Sequence, residues 1–503
     1  MTVGDTVNKK LDGVTDYRMV GIPDGLGAYN NGDGTFTLLM NHEIGTGLGA
    51  GRAHGNNGGF VSQWTINSSS LAVSNVKDFV SNNSSIYLSN NVPGTSVHTA
   101  YEAGATTAFN RLCSADLADA SAYQWTDPNT NITYGTSSRI FQSGEESGFG
   151  RQFAFIATDD PNTGFNEANT VYEIPHCGLF SWENNLASPY AQEKTIVMGM
   201  DDTTPGQIYV WVGDKQTTGN VVERAGLTRQ SANDNLYVVK VDNLTADGSG
   251  ATNEIRSTPL TGSFSLQNEG DVSGLTGTAL ENLSDSKGGT QFLRPEDGAW
   301  DPNDPNRFYF VTTDRYDQVK DGVGATVGRS RLYALDFTDI TNPTLGGTIT
   351  ALLDGTEAGN MFDNISAVSY GDGQTAVFLQ EDVGNQQHNG KIFMYNTDSD
   401  ALTLIAKHDP ARFGDIGSPA VAPFSLDEES SGIIDAQALL GNGWLLLDVQ
   451  AHYGLGGELV EGGQLVAMYV PQLVPEPSTF ALLGTFFAVA GASCIARRRA
   501  AKA

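Results

Sequence analysis

Between residues 1 and 470 no stretch holds a 3.6-residue apolar period over three turns, so the body of this chain is not a bundle of amphipathic helices. What recurs is a short alternating run that opens beside a turn residue and carries an aromatic near its start. Gly59-Phe60-Val61-Ser62-Gln63-Trp64, Gln207-Ile208-Tyr209-Val210-Trp211 and Asn235-Leu236-Tyr237-Val238-Val239 have this form. So do Arg331-Leu332-Tyr333-Ala334-Leu335, Lys391-Ile392-Phe393-Met394-Tyr395 and Gln464-Leu465-Val466-Ala467-Met468-Tyr469. Alternation with one aromatic per hairpin suits four-stranded blades packed face to face around an axis. Fifty-nine glycines and only 17% charged residues supply the turns such a fold needs. The spacing of the runs, from about 30 to over 90 residues, excludes a strict repeat of the WD type. The expectation is an all-β chain, a β-propeller with long insertions, against a large sandwich. No linker rich in Pro, Ser or Gly splits the chain before about residue 470, so residues 1–472 read as one domain.

Fifty-eight Asp and Glu against 28 Lys and Arg leave a formal charge of −30. That excess excludes a nucleic-acid binder, which needs clustered cations, and points to divalent cations or to solubility. Seven acid-bearing segments stand at strand ends or in Gly-rich turns: Asn41-His42-Glu43, Ser143-Gly144-Glu145-Glu146, Trp182-Glu183, Met200-Asp201-Asp202, Arg294-Pro295-Glu296-Asp297, Phe362-Asp363-Asn364 and Gln380-Glu381-Asp382. Ca²⁺ takes six to eight oxygens, and carboxylates from several strand ends facing one axis can supply them. Without a cation such a gathering costs several kcal/mol in repulsion and desolvation. Each acid taken singly is an ordinary solvated turn residue; the set is the candidate. No G-x-S-x-G, Walker loop, H-E-x-x-H or C-x-x-C occurs. His42, His176, His388 and His452 are candidate ligands or structural hydrogen-bonders. Cys113 and Cys177 are open to pairing or to burial as free thiols, and Cys494 lies in an apolar tail.

That tail, residues 479–496, has 18 residues without a charge and is followed by Arg497-Arg498-Arg499. As a helix it rises about 27 Å, close to a hydrocarbon core, with the arginines favouring the cytoplasmic side. Val474-Pro475-Glu476-Pro477-Ser478 stands just before it. Pro-Glu-Pro, an apolar helix and a terminal basic cluster together resemble the PEP-CTERM sorting signal of Gram-negative bacteria. The resemblance implies that residues 473–503 form a sorting segment removed by an exosortase, with the membrane as partner before processing. It also implies export to the envelope or beyond. Residues 1–14 hold no apolar run, so the expectation is a start that is truncated or misassigned.

In order and in local wording, residues 35 to 455 resemble the PhoX-type alkaline phosphatases, exported calcium-dependent phosphomonoesterases with a six-bladed propeller and a calcium–iron site at its axis. Arg294-Pro295-Glu296 is similar to that family's Arg-x-Glu, which implies that Arg294 holds substrate phosphate and Glu296 holds metal, the two catalytic candidates. Asp363-Asn364 resembles its Asp-Asn pair, Asp201-Asp202 its paired aspartates, Glu381 its late metal-binding Glu, and Glu145-Glu146 its Cys-Glu-Glu. Glu183 falls at a His-Glu ligand position, with Trp182 in place of His. His42, Glu43 and Asp382 are further candidates. Ser143-Gly144 replaces the family's iron-binding Cys, so calcium is the expected cofactor and iron is in question. The function implied is hydrolysis of a small phosphate ester at alkaline pH. The alternative is a non-catalytic calcium-binding surface or matrix propeller, favoured by the changes at 143 and 182.

Overall fold

The structure, a computed structural model, describes residues 1–104, 106–314, 330–384, 386 and 388–474. The Pro-Glu-Pro signal and the apolar segment 479–496 lie outside the described residues. Among the described residues no helix is long and apolar enough to cross a membrane.

Six blades radiate from one axis. Their innermost strands are Pro23–Asn30, Leu112–Asp116, Trp182–Ala187, Pro295–Trp300, Phe362–Tyr370 and Glu428–Asp435, which define blades one to six. Each inner strand packs against the next and the sixth packs against the first, so the ring is closed. The chain is a six-bladed β-propeller. Blade one runs outward through Thr35–His42, Phe60–Asn67 and Val73–Asp78, and blade five through Gln374–Glu381, Lys391–Asn396 and Ala401–Lys407, all antiparallel.

Closure uses the beginning of the chain. Blade six has only Glu428–Asp435, Trp444–Gly456 and Val460–Tyr469. Residues 1–3 take the outer place: Val3 N donates to Gly463 O at 3.0 Å and Leu465 N to Met1 O at 2.9 Å. This covers a strand edge that would otherwise be open to foreign pairing.

The uneven spacing of the aromatic runs has a structural cause. Blade two carries Ile86–Ser89 and Tyr101–Ala103 beyond its fourth strand, and Gly262–Gly270 joins blades three and four into a nine-stranded sheet. Five of the six runs are nonetheless third strands of their blades; Asn235–Val241 is a fourth. A third strand is flanked by neighbouring blades on both faces, which is where Trp64, Trp211 and Tyr333 lie fully buried. One apolar cluster fills each gap between adjacent blades. Burying each such ring contributes roughly 1.5–3 kcal/mol.

Candidate metal centre

The second residue of every inner strand carries chemistry: Asp24, Cys113, Glu183, Glu296, Asp363 and Glu429. The residue following the second strand is acidic in four blades: Glu43, Glu146, Asp202 and Asp382. Antiparallel pairing sets these two positions side by side at one end of the propeller, and the six blades turn them into a ring. Ligand atoms of Asp24, Glu43 and Cys113 lie within 4.8 Å of one another, as do those of Cys113, Glu146 and Glu183. The same holds for Glu183, Glu296 and Asp363, and for Asp363, Asp382 and Glu429. The groups share members, so the ring is continuous from blade one to blade six.

Burial sets the electrostatics. Asp24, Glu43, Cys113, Glu183, Glu296, Asp363 and Glu429 are all buried. Desolvation, then neighbouring like charges, pushes Glu146, Glu183, Glu296, Asp363 and Glu429 well above the usual carboxylate range. Desolvation raises Asp24 to about 6, against hydrogen bonds from Ser431 and Cys113 that lower it. Burial pushes the Cys113 thiol up, and its Sγ stands 3.2 Å from both Asp24 Oδ2 and Glu183 Oε2, the two acceptors within reach of its one S–H. A bound cation reverses this sign, because its field favours the anionic ligands.

Among the described residues, two guanidinium groups meet the ring. Arg294 spans Asp202 (Nε–Oδ1 2.8 Å) and Glu296 (Nη2–Oε1 2.7 Å). Arg111 spans Glu43 (Nη2–Oε1 2.5 Å) and Glu146 (Nε–Oε2 3.1 Å). Both immediately precede an inner strand at positive φ, 49° for Arg111 and 60° for Arg294, as Ile22 and Met361 do in blades one and five. That strained turn aims the strand start at the axis.

Of the residues singled out from sequence, the structure brings Glu43, Glu146, Glu183, Glu296, Asp363 and Asp382 into the ring's clusters and places Asp202 and Arg294 on it. It turns the others away. Successive side chains on a strand point to opposite sides, so in each adjacent pair one member meets the ring and the other enters the blade. Glu145 is held by Arg151 (Nε–Oε2 2.9 Å, Nη2–Oε1 2.7 Å). Asp201 accepts from Ser181 N at 3.3 Å, and burial raises it to about 7. Asn364 accepts from Ser431 Oγ at 2.7 Å and Gly432 N at 2.6 Å, which ties blade five to blade six. Glu381 accepts from Asn360 N at 2.7 Å and pairs with His388 at 2.9 Å. His42 stacks on Phe60 between Gly21 O and Ser62 Oγ, and burial lowers it to about 3, so it is neutral. His176 lies by Asp271 and His452 by Glu461.

Sequence reasoning missed Asp24 and Glu429 and left Cys113 unassigned. A signal for Asp24 existed: Asp24/Glu43, Glu183/Asp202 and Asp363/Asp382 are each nineteen positions apart, because one hairpin separates them. Cys113 and Cys177 are both free and buried, which removes the disulfide alternative. The thiol arrives from blade two's inner strand. The Ser143-Gly144 position packs elsewhere: Ser143 Oγ accepts from Asn41 Nδ2 at 2.9 Å, and Gly144 lies flush on Trp182, where a Cβ would stand 2.2 Å from the Trp182 Cβ.

Below the ring the inner strands line an open pocket of about 180 Å³, faced in turn by Gly25, Asp116, Asn184, Asp297, Asn364 and Gly432. Asp297 accepts from Asn184 Nδ2 at 2.6 Å and Ile365 N at 3.0 Å, stitching blades three, four and five beneath the ligands.

No protein-family model matches the chain, and no curated protein matches it in sequence. Among solved structures, Pseudomonas fluorescens PhoX in complex with vanadate, a transition-state analogue, is similar with a TM-score of 0.57 and 11% identity over 94% of this chain and 95% of that one. A GH43 β-xylosidase/α-arabinofuranosidase from a compost metagenome matches at TM-score 0.31 and 9% identity, covering 89% and 91%. The NanB sialidase of Streptococcus pneumoniae matches at 0.31 and 10%, covering 90% and 69%. At these identities the likeness shows a fold, and the fold it shows is that of PhoX.

Proposed function

We propose that this protein is an exported, metal-dependent phosphomonoesterase acting at the ring end of the propeller. The observation that carries the reading is the continuous ring of buried acids and one thiol, with Arg294 forked over Glu296. So many buried anions against two guanidinium groups fit a set of cations and little else. Glu183, Glu296, Asp363, Asp382 and Glu429 form an all-oxygen donor set of the kind that holds Ca²⁺. Asp24, Glu43, Glu146 and Glu183 around Cys113 add a soft sulfur, which suits a transition metal such as iron. The donor chemistry therefore fits both metals implied by the sequence resemblance. Bound cations supply neutralisation of the phosphoryl oxygens and acidify water for attack on phosphorus.

The chain's own residues do the rest. Arg294 presents Nε and Nη2 in one plane, the geometry that grips two phosphoryl oxygens, and exchanges Asp202 for substrate. Its ion pairs hold it charged at alkaline pH. Glu296 Oε1 holds Nη2 of the same fork at 2.7 Å, so the fork and the metal-binding carboxylate move as one unit. Asp297, one residue on, keeps the strand start rigid from below.

The test is turnover of p-nitrophenyl phosphate at alkaline pH, with calcium and with chelator. Chelator-sensitive turnover is expected; none after reconstitution with calcium and iron overturns the reading. A non-catalytic calcium-binding propeller remains the second reading, favoured by Trp182, which stacks on Phe180 at 3.8 Å where the resemblance places a His ligand. Bound calcium without hydrolysis of any ester would select it. We place residues 473–503 as a sorting segment read by an exosortase.

A further inference from the structure

Blade two repeats in Arg111 what blade four does in Arg294. Each stands two positions ahead of a ring residue, Cys113 or Glu296, and each reaches back to the acid that follows the preceding blade's second strand, Glu43 or Asp202. Ile22 and Met361 hold the same left-handed position without charge, so the turn itself does not demand arginine. The Arg111 side chain is 47% exposed against 27% for Arg294, which leaves it open at the mouth of the ring. Arg294 lines a recess of about 470 Å³ together with Leu293 and Met361; the recess of about 470 Å³ beyond Asn110 is lined by Arg151, Glu145 and Glu173 and does not include Arg111. Glu146, Glu183 and Glu296 connect the two arginines, with no step between ligand groups longer than 4.8 Å. Two forked cations thus flank one cation-binding surface.

We propose that Arg111 is a second anion-binding residue of this site and that its preferred substrates are phosphate esters whose alcohol portion carries another negative group, such as a carboxylate or a second phosphate. Arg294 takes the phosphoryl group that is cleaved, and Arg111 takes the second anion. The substrate class rests on the phosphomonoesterase reading; the anion pair rests on the two arginines alone.

The experiment compares wild type, Arg111→Gln and Arg111→Lys, each reconstituted with calcium and iron. One arm measures KM and kcat for 2-phosphoglycerate and for glycerol 2-phosphate, which differ in the second charge. The other measures calorimetric binding of phosphonoacetate and of methylphosphonate, which are not hydrolysed. Arg111→Gln is expected to raise KM for 2-phosphoglycerate and Kd for phosphonoacetate at least tenfold more than it raises those of their partners with a single anionic group, with bound calcium unchanged. Arg111→Lys, which keeps the charge and loses the fork, is expected between the two. Equal effects on both members of each pair, or lost calcium, overturn the proposal and make Arg111 a counter-charge of Glu43 and Glu146. If neither ester turns over, the hydrolase reading fails alone, and the phosphonate arm still decides Arg111.

Discussion

Cys113 sits among Asp24, Glu43, Glu146 and Glu183, whereas Asp363 sits among Glu183, Glu296, Asp382 and Glu429. The ring therefore has a thiol half in blades one to three and an all-oxygen half in blades three to six, with Glu183 common to both. Sulfur at one inner-strand position and carboxylate at the others, on equivalent backbone, means that the blade geometry sets where donor groups stand while, on the proposed reading, single side chains would set which metal each half takes. Each half has its arginine: Arg111 on the thiol side, Arg294 on the oxygen side.

Removing Glu296 tests the oxygen half most severely. Glu296→Ala deletes a ligand atom and frees Arg294 from one of its partners, so turnover of p-nitrophenyl phosphate should fall at least a thousandfold and bound calcium should drop, measured by atomic emission. Activity within twofold of wild type would contradict the role. Cys113→Ser acts on the other half: bound iron should fall to background and turnover by about a hundredfold, with calcium retained. A matching loss of calcium would erase the distinction between the halves.

A subtler contrast lies in pH. Asp24 is raised to about 6, and Asp201 and Asp297 to about 7, by burial. In the metal-free protein the folded state holds protons that the unfolded chain releases near pH 4, so the stability they contribute is complete below about 4 and is lost as pH rises through about 7. Thermal unfolding in chelator should show Tm falling between pH 5 and pH 8. With calcium and iron bound to the ring, Asp24 should no longer be held as an acid and the slope should flatten. An identical slope with and without the two metals would remove Asp24 from the cation site. The smallest effect is expected where the strand turns a carboxylate into the blade: Glu145→Gln should cost about 2 kcal/mol through its pair with Arg151, with metal content unchanged and turnover within threefold.

The adjacent pairs show why part of the site was legible and part was not. Glu145-Glu146, Asp201-Asp202, Asp363-Asn364 and Glu381-Asp382 identify the strand ends in the linear chain. Nothing in the letters says which member faces the axis, because that depends on the phase of each strand relative to the ring. Asp24 stands in Pro-Asp-Gly-Leu-Gly and reads as a turn until its strand is paired. Cys113 was visible as a thiol only, since its partners come from residues 24 and 183.

Alternation, aromatic placement and glycine content determined a β-rich chain built from repeated hairpins, because side-chain period and turn chemistry are local properties. Acid excess with clustered carboxylates pointed to cations for the same reason: charge is carried by composition. Six blades were already implied by the family resemblance, whereas the closure by residues 1–3, the thiol inside the ring and the placement of Arg111 opposite Arg294 were decided by tertiary structure alone. Each depends on contacts between residues hundreds of positions apart, whose energies appear only once the ring has closed.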